Sequence, residues 1–166
     1  MADGVTKKKV YVETSVISNL TARPSHNPMD AAMQLSTLKW WYSAPERFSL
    51  YCSQLVLDEA ARGDAAAASR RLQAVAELTS LPINEAIVSF AEKLLAAAAV
   101  PRTSFDDAVH IAAAAIHGMD YLVTWNCKHI ANVYTEPLIS ACCEANGFRC
   151  PVICTPLEME GGNDDV

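Results

Sequence analysis

Acidic side chains just past short apolar runs are the residues in this sequence whose types and spacing could do chemistry. Glu13 follows the β-rich run Lys9-Val10-Tyr11-Val12 and precedes Thr14 and Ser15. Glu59 lies in SQLVLDEAARG, a helical pattern that Ser53 would cap and Gly63 would stop. Asp106 and Asp107 open the longest patterned stretch, SFDDAVHIAAAAIHGMDYLVTWNCKHIAN from Ser104 to Asn132. Within it, Val109, Ala112, Ala113 and Ile116 give a helix one buried face. The chain then turns at Gly118-Met119-Asp120 into the apolar run Tyr121 to Thr124 and the polar loop Trp125 to His129, which carries Asn126. An open α/β sheet commonly gathers its chemistry past the carboxyl ends of such strands. Oxygen ligands converging there suit a hard divalent cation, and carboxylates sharing one cleft need a cation to stay ionised together.

Each of these residues also has a plainer reading, which the sequence leaves open. Glu13 precedes a helix that Thr14 or Ser15 could begin. Glu59 could be a solvated partner of Arg62, three positions on. Ser104-x-x-Asp107 fits a capping box, where the helix dipole favours a carboxylate without any catalysis. His110 and His117 read as partly buried polar residues of the same helix, and Trp40, Trp41 and Tyr42 as core or interface anchors.

The elements that must position the acids follow from periodicity and punctuation. Thr21 to Pro28 is a loop, and Pro28 to Ala44 a helix ended by Pro45. Phe48 to Cys52 alternates as a second strand. Asp64 to Leu78 reads as a helix, and Leu81-Pro82-Ile83 as an extended connector. Asn84 caps a helix that runs on to Val100 and is closed by Pro101. Thr135 to Asn146 is a last helix, and Pro151 to Cys154 a last short strand. Residues 1–9 read as a flexible leading segment, 10–158 as one domain, and 159–166 as a disordered acidic tail.

Composition narrows the classes. At 166 residues, 51% of them hydrophobic, the chain can bury one substantial core and is not a disordered protein. Its longest apolar stretches, such as Leu94 to Val100, fall far short of a membrane span. The start lacks the pattern of a signal peptide, which points to the cytoplasm. There Cys52, Cys127, Cys142, Cys143, Cys150 and Cys154 are expected as reduced thiols, and no CxxC spacing suggests zinc. A net charge of −6 argues against coating nucleic acid by bulk electrostatics. It permits a nuclease whose acids are neutralised by metal.

The motifs VYVETSVIS, SQLVLDEAARGD and DAVHIAAAAIHGMDYLVTWNCKHIAN, with Thr155-Pro156-Leu157-Glu158 near the end, resemble those of the PIN-domain family. They are most similar to the VapC-like toxins of toxin–antitoxin modules, over nearly the whole chain from Val10 to Glu158. The resemblance implies a three-layer α/β/α sandwich around a short parallel sheet. It implies a metal-dependent endoribonuclease in which Glu13, Glu59 and Asp107 hold Mg²⁺ or Mn²⁺. The register Asp-Ala-x-x-Ile-Ala picks Asp107 over Asp106 as ligand, and Asn126 stands where many members carry a further Asp. Thr14, Ser15, Thr124 and Asp106 become supporting residues. Arg102, Lys128 and His129 become candidates to hold substrate phosphates, with solvated surface charge as their plainer reading. A homodimer and an antitoxin covering the acidic cleft are further expectations. Glu13 is one methylene longer than the usual Asp, and Asn126 is neutral. Both departures leave room for a PIN-fold module that binds RNA or protein without cutting. A phosphatase of the haloacid-dehalogenase type would need Asp-x-Asp where this chain has Glu13-Thr14-Ser15.

Overall fold

The computed structural model describes residues 6–160. The first strand, β1 (Lys8–Val12), has Val10, Tyr11 and Val12 without solvent exposure, as a parallel strand covered on both faces requires. The chain continues through α1 (Thr14–Thr21), α2 (Pro28–Arg47), β2 (Phe48–Ser53), α3 (Gln54–Ala60), α4 (Ala65–Val75), β3 (Thr79–Leu81) and α5 (Glu85–Ala96). It closes with α6 (Phe105–Ile116), β4 (Tyr121–Val123), α7 (Glu136–Ala145), β5 (Val152–Cys154) and α8 (Pro156–Glu160). The five strands lie in the order β3-β2-β1-β4-β5 and every pairing is parallel, giving the expected three-layer α/β/α fold.

That order locates the cleft. The chain winds outward from β1 through β2 to β3, then crosses back to β4 and β5 on the other side. Winding therefore reverses between β1 and β4, and the carboxyl ends of these two strands flank the resulting crevice. Val12 pairs with Val123, the Glu13 N–H donates to the Val123 carbonyl at 3.0 Å, and the Thr124 N–H donates to the Cys154 carbonyl at 2.9 Å. Glu13 and Thr124 thus leave the sheet side by side.

Several local expectations change. Pro45 lies inside α2 and does not end it. It removes one N–H in the final turns, while buried Trp40 and Ala44 and the Phe48 N–H on the Ala44 carbonyl keep the turn. α4 stops at Val75, and the residues after it form β3 as an edge strand beside β2. α5 stops at Ala96, short of Val100: Ala98 takes φ 54°, and the Ala99 N–H donates to the Leu94 carbonyl at 3.0 Å, a left-handed helix stop usually given to glycine.

Four residues of the expected flexible ends belong to regular elements. Lys8 and Lys9 belong to β1, and Met159 and Glu160 to α8, which packs on α2 with Met159 buried. Thr155-Pro156-Leu157-Glu158 is itself a capping arrangement, with Glu158 Oε1 accepting from the Thr155 N–H at 3.0 Å. Residues 1–5 and 161–166, the remainder of the expected flexible leader and acidic tail, lie outside the described residues. All six cysteines are free thiols, with Cys52, Cys142, Cys143 and Cys154 buried. Among the described residues no helix is long and apolar enough to cross a membrane.

Candidate metal centre

Glu13 is the residue between β1 and α1, and it serves as the N-cap of α1. Its Oε2 accepts from the Ser15 N–H at 3.1 Å, from Thr124 Oγ1 at 2.7 Å, and from Ser15 Oγ in a very short contact. The side chain is nearly buried, and among the described residues Oε1 takes no hydrogen bond. The neighbouring loop is tied to the same atoms. Ser15 Oγ accepts from the Trp125 N–H at 2.8 Å, and Thr124 Oγ1 accepts from the Asn126 N–H at 2.9 Å. Trp125 Nε1 then donates to Thr37 Oγ1 at 2.7 Å, fixing the loop against α2.

Glu59 reaches the same place from α3. Its Oε1 accepts from Thr14 Oγ1 at 2.7 Å and lies 2.6 Å from His110 Nε2, while among the described residues Oε2 takes no hydrogen bond. His110 Nε2 is also 3.9 Å from Glu13 Oε1. One ligand atom from each of Glu13, Glu59 and His110 lies within 4.8 Å of the other two, and among the described residues this is the only such trio of acids, histidines or cysteines. Two carboxylates and an imidazole are a donor set that fits a divalent cation.

Burial alone would pull the His110 imidazole down. The hydrogen bond with Glu59 and the charges of Glu13, Glu59 and Asp107 outweigh it, so proton affinity rises. For Glu59, burial pushes the carboxyl up, but His110, Thr14 and the Arg62 charge together hold it below the ordinary value. The acid is thereby kept ionised beside Glu13.

Asp107 forms the other side of the cleft, and each of its oxygens has a polar partner. Oδ1 accepts from Asn126 Nδ2 at 3.1 Å, and Oδ2 lies 2.8 Å from His129 Nδ1. Asn126 Oδ1 accepts from the His129 N–H at 3.0 Å, which fixes the amide so that its NH₂ faces Asp107. The capping box read at Ser104-x-x-Asp107 does not form: Ser104 makes no side-chain cap, and its hydroxyl lies 3.2 Å from His129 Nδ1. Nor does Ser53 cap α3, since its hydroxyl is engaged by Tyr11.

The PIN domain pattern matches residues 10–131. The chain belongs to the PIN domain family. This is a nuclease-type fold, and its buried acidic and histidine cluster fits a metal site. None of the curated proteins compared with this PIN domain matches it.

Glu13, Thr14, Ser15, Glu59, Asp107, Thr124, Asn126 and His129 all meet at this end of the PIN sheet. Asp106 does not support them. It faces Arg62 at 3.7 Å, both side chains about half exposed. Arg102 and Lys128 are exposed, and among the described residues their side chains make no hydrogen bond or ion pair. His129 is held by Asp107.

The sequence reads His110 only as a partly buried polar residue and Ser53 as a helix cap, and gives Tyr11 no place at the site. A signal for His110 existed. Ala108 to Ala115 are buried without a break, so a histidine within that run must find a polar partner inside the protein.

Proposed function

We propose that this PIN domain is a metal-dependent endoribonuclease and the VapC-like toxin of a toxin–antitoxin pair. The observation that carries the reading is the pair of carboxylates at the β1/β4 crevice, each pinned by one oxygen with the other left free. Glu13, Glu59 and Asp107 would hold Mg²⁺ or Mn²⁺, Asp107 as the family resemblance implies. A divalent ion so held supplies a Lewis acid for the phosphate and lowers the pKa of bound water.

The protein's own part is placement. Ser15 and Thr124 fix Glu13, Thr14 and His110 fix Glu59, and Asn126 and His129 fix Asp107. Arg102 and Lys128, exposed and unengaged, are available to RNA phosphates. Cytoplasmic location agrees with six free thiols. A homodimer, and an antitoxin segment lying over the acidic cleft, complete the proposal by family resemblance.

The test is cleavage of mixed single-stranded RNA by purified protein with Mg²⁺, Mn²⁺ or a chelator, each beside Asp107→Asn. Metal-dependent cutting that is lost in the mutant is expected. A second reading is a PIN-fold module that binds RNA or a partner without cutting. Asn126 and the hydrogen-bond partner on each oxygen of Asp107 favour it. It gains if folded, inhibitor-free protein retains RNA but cuts with neither metal.

A further inference from the structure

Behind Glu59, His110 is itself backed by a line of buried polar groups. Ser53 Oγ is 2.7 Å from the Tyr11 hydroxyl, which is 2.8 Å from His110 Nδ1. The opposite ring nitrogen, Nε2, is 2.6 Å from Glu59 Oε1. Ser53, Tyr11 and His110 are 0%, 0% and 1% exposed, so water does not satisfy them. They come from three elements, β2, β1 and α6, whose packing fixes the spacing.

The direction of the last bond can be read from its acceptor. Glu59 Oε1 also accepts from Thr14 Oγ1, and an ionised carboxylate can only accept. The 2.6 Å contact is therefore a hydrogen bond when His110 Nε2 carries the proton. A nitrogen that donates this proton has no lone pair for a metal.

We infer that His110, Tyr11 and Ser53 form a positioning relay that pins Glu59 by Oε1 and leaves Oε2 to the metal, with His110 itself outside the ligand set. This rests on the metal-dependent reading of Glu13 and Glu59. The compact trio would equally suit an imidazole as third ligand, but that arrangement needs the opposite proton position at Nε2.

The proton is measured first, by ¹⁵N NMR of the imidazoles in the metal-free full chain, with His110→Gln identifying the signal. A protonated Nε2 is expected, and a lone pair there would overturn the relay. Mn²⁺ binding is measured next, by the EPR signal of the free ion. His110→Gln can still present an N–H to Glu59, so its affinity should stay within about threefold of wild type, whereas His110→Leu should lose about 10-fold or more, as outer-shell deletions do. Tyr11→Phe should fall between them.

Pulsed EPR of bound Mn²⁺ should show no directly coordinated nitrogen, and a ligand-strength ¹⁴N coupling would reverse the assignment. Equal loss in the Gln and Leu variants would do the same. Wild-type protein that binds no Mn²⁺ would instead sink the metal reading of Glu13 and Glu59 and the purpose of the relay with it. The NMR result separates the two failures.

Discussion

Thr124 is the hydroxyl on which the cleft's geometry turns, and Thr124→Val removes it with little change of shape. Thr124 Oγ1 donates to Glu13 Oε2 at 2.7 Å and accepts from the Asn126 N–H at 2.9 Å, in a residue with no solvent exposure. The first bond goes to a nearly buried carboxylate, a kind worth about 1.5–3 kcal/mol, and the second is a neutral bond worth about 1 kcal/mol. Little water can replace either, because Glu13 is only 5% exposed. Ser15 still holds Glu13 Oε2, so the losses do not simply add, and a destabilisation of about 3 kcal/mol is expected. Urea unfolding in chelator should place the midpoint roughly 1–2 M lower than wild type. Thr124→Ser keeps the hydroxyl and should cost about 1 kcal/mol, that of a lost methyl group. A Val variant within about 0.5 kcal/mol of wild type, the range of ordinary surface changes, would refute the view that this hydroxyl holds the cleft.

Two further expectations concern the sheet's far end and a helix stop. Asp120 accepts from the Lys9 N–H at 2.8 Å and from Arg149 Nη2 at 2.8 Å, with Lys8 3.9 Å away; the Lys9 bond, then Arg149 and Lys8, hold its carboxyl below the ordinary value despite partial burial. Because the folded pKa is depressed, the stabilisation is complete above the unfolded value of about 3.9 and is lost as pH falls through the folded value. Asp120→Asn should therefore cost about 1 kcal/mol at pH 5 to 8, and that gap should close below about pH 4 in urea titrations. A gap independent of pH would count against this assignment. Ala98 sits at φ 54°, where a Cβ is crowded, so Ala98→Gly should raise stability by up to about 1 kcal/mol; a drop in the melting temperature would contradict it.

Most of the scaffold was legible because its signals are local. The apolar runs at Val10-Tyr11-Val12 and Tyr121-Leu122-Val123, the Asn84 cap and the stop at Gly147 each act through neighbouring residues, and each appears in the fold. β3 was missed because Thr79-Ser80-Leu81 is extended by pairing with Tyr51-Cys52-Ser53, a long-range cause with little propensity behind it. The stop at Ala98 was missed for the opposite reason. The sequence there is strongly helical, and the residue that breaks it is one that normally would not. At the site, the acids stood out by type and placement. The relay did not, since Tyr11 and Ser53 sit in apolar strands and only the parallel register of β1 with β2 makes them neighbours.

For Glu13, capping a helix and joining a metal site would not be competing roles. A carboxylate has two oxygens, and a helix start offers donors to only one side of it. Glu13 spends Oε2 on the Ser15 N–H, the Ser15 hydroxyl and Thr124, so the first turn of α1 and the end of β4 together fix the plane of the group. Although one methylene longer than Asp, the side chain folds back onto the helix start. Glu59, in the last turn of α3, is likewise held by one oxygen, giving Oε1 to Thr14 and His110. Asp107 is built differently. Both of its oxygens are engaged, one by the amide of Asn126, and a carboxylate in place of that amide would face Asp107 as a like charge. The neutral residue at 126 is therefore part of what lets three acids share the cleft: it supplies a donor where a fourth acid would add repulsion.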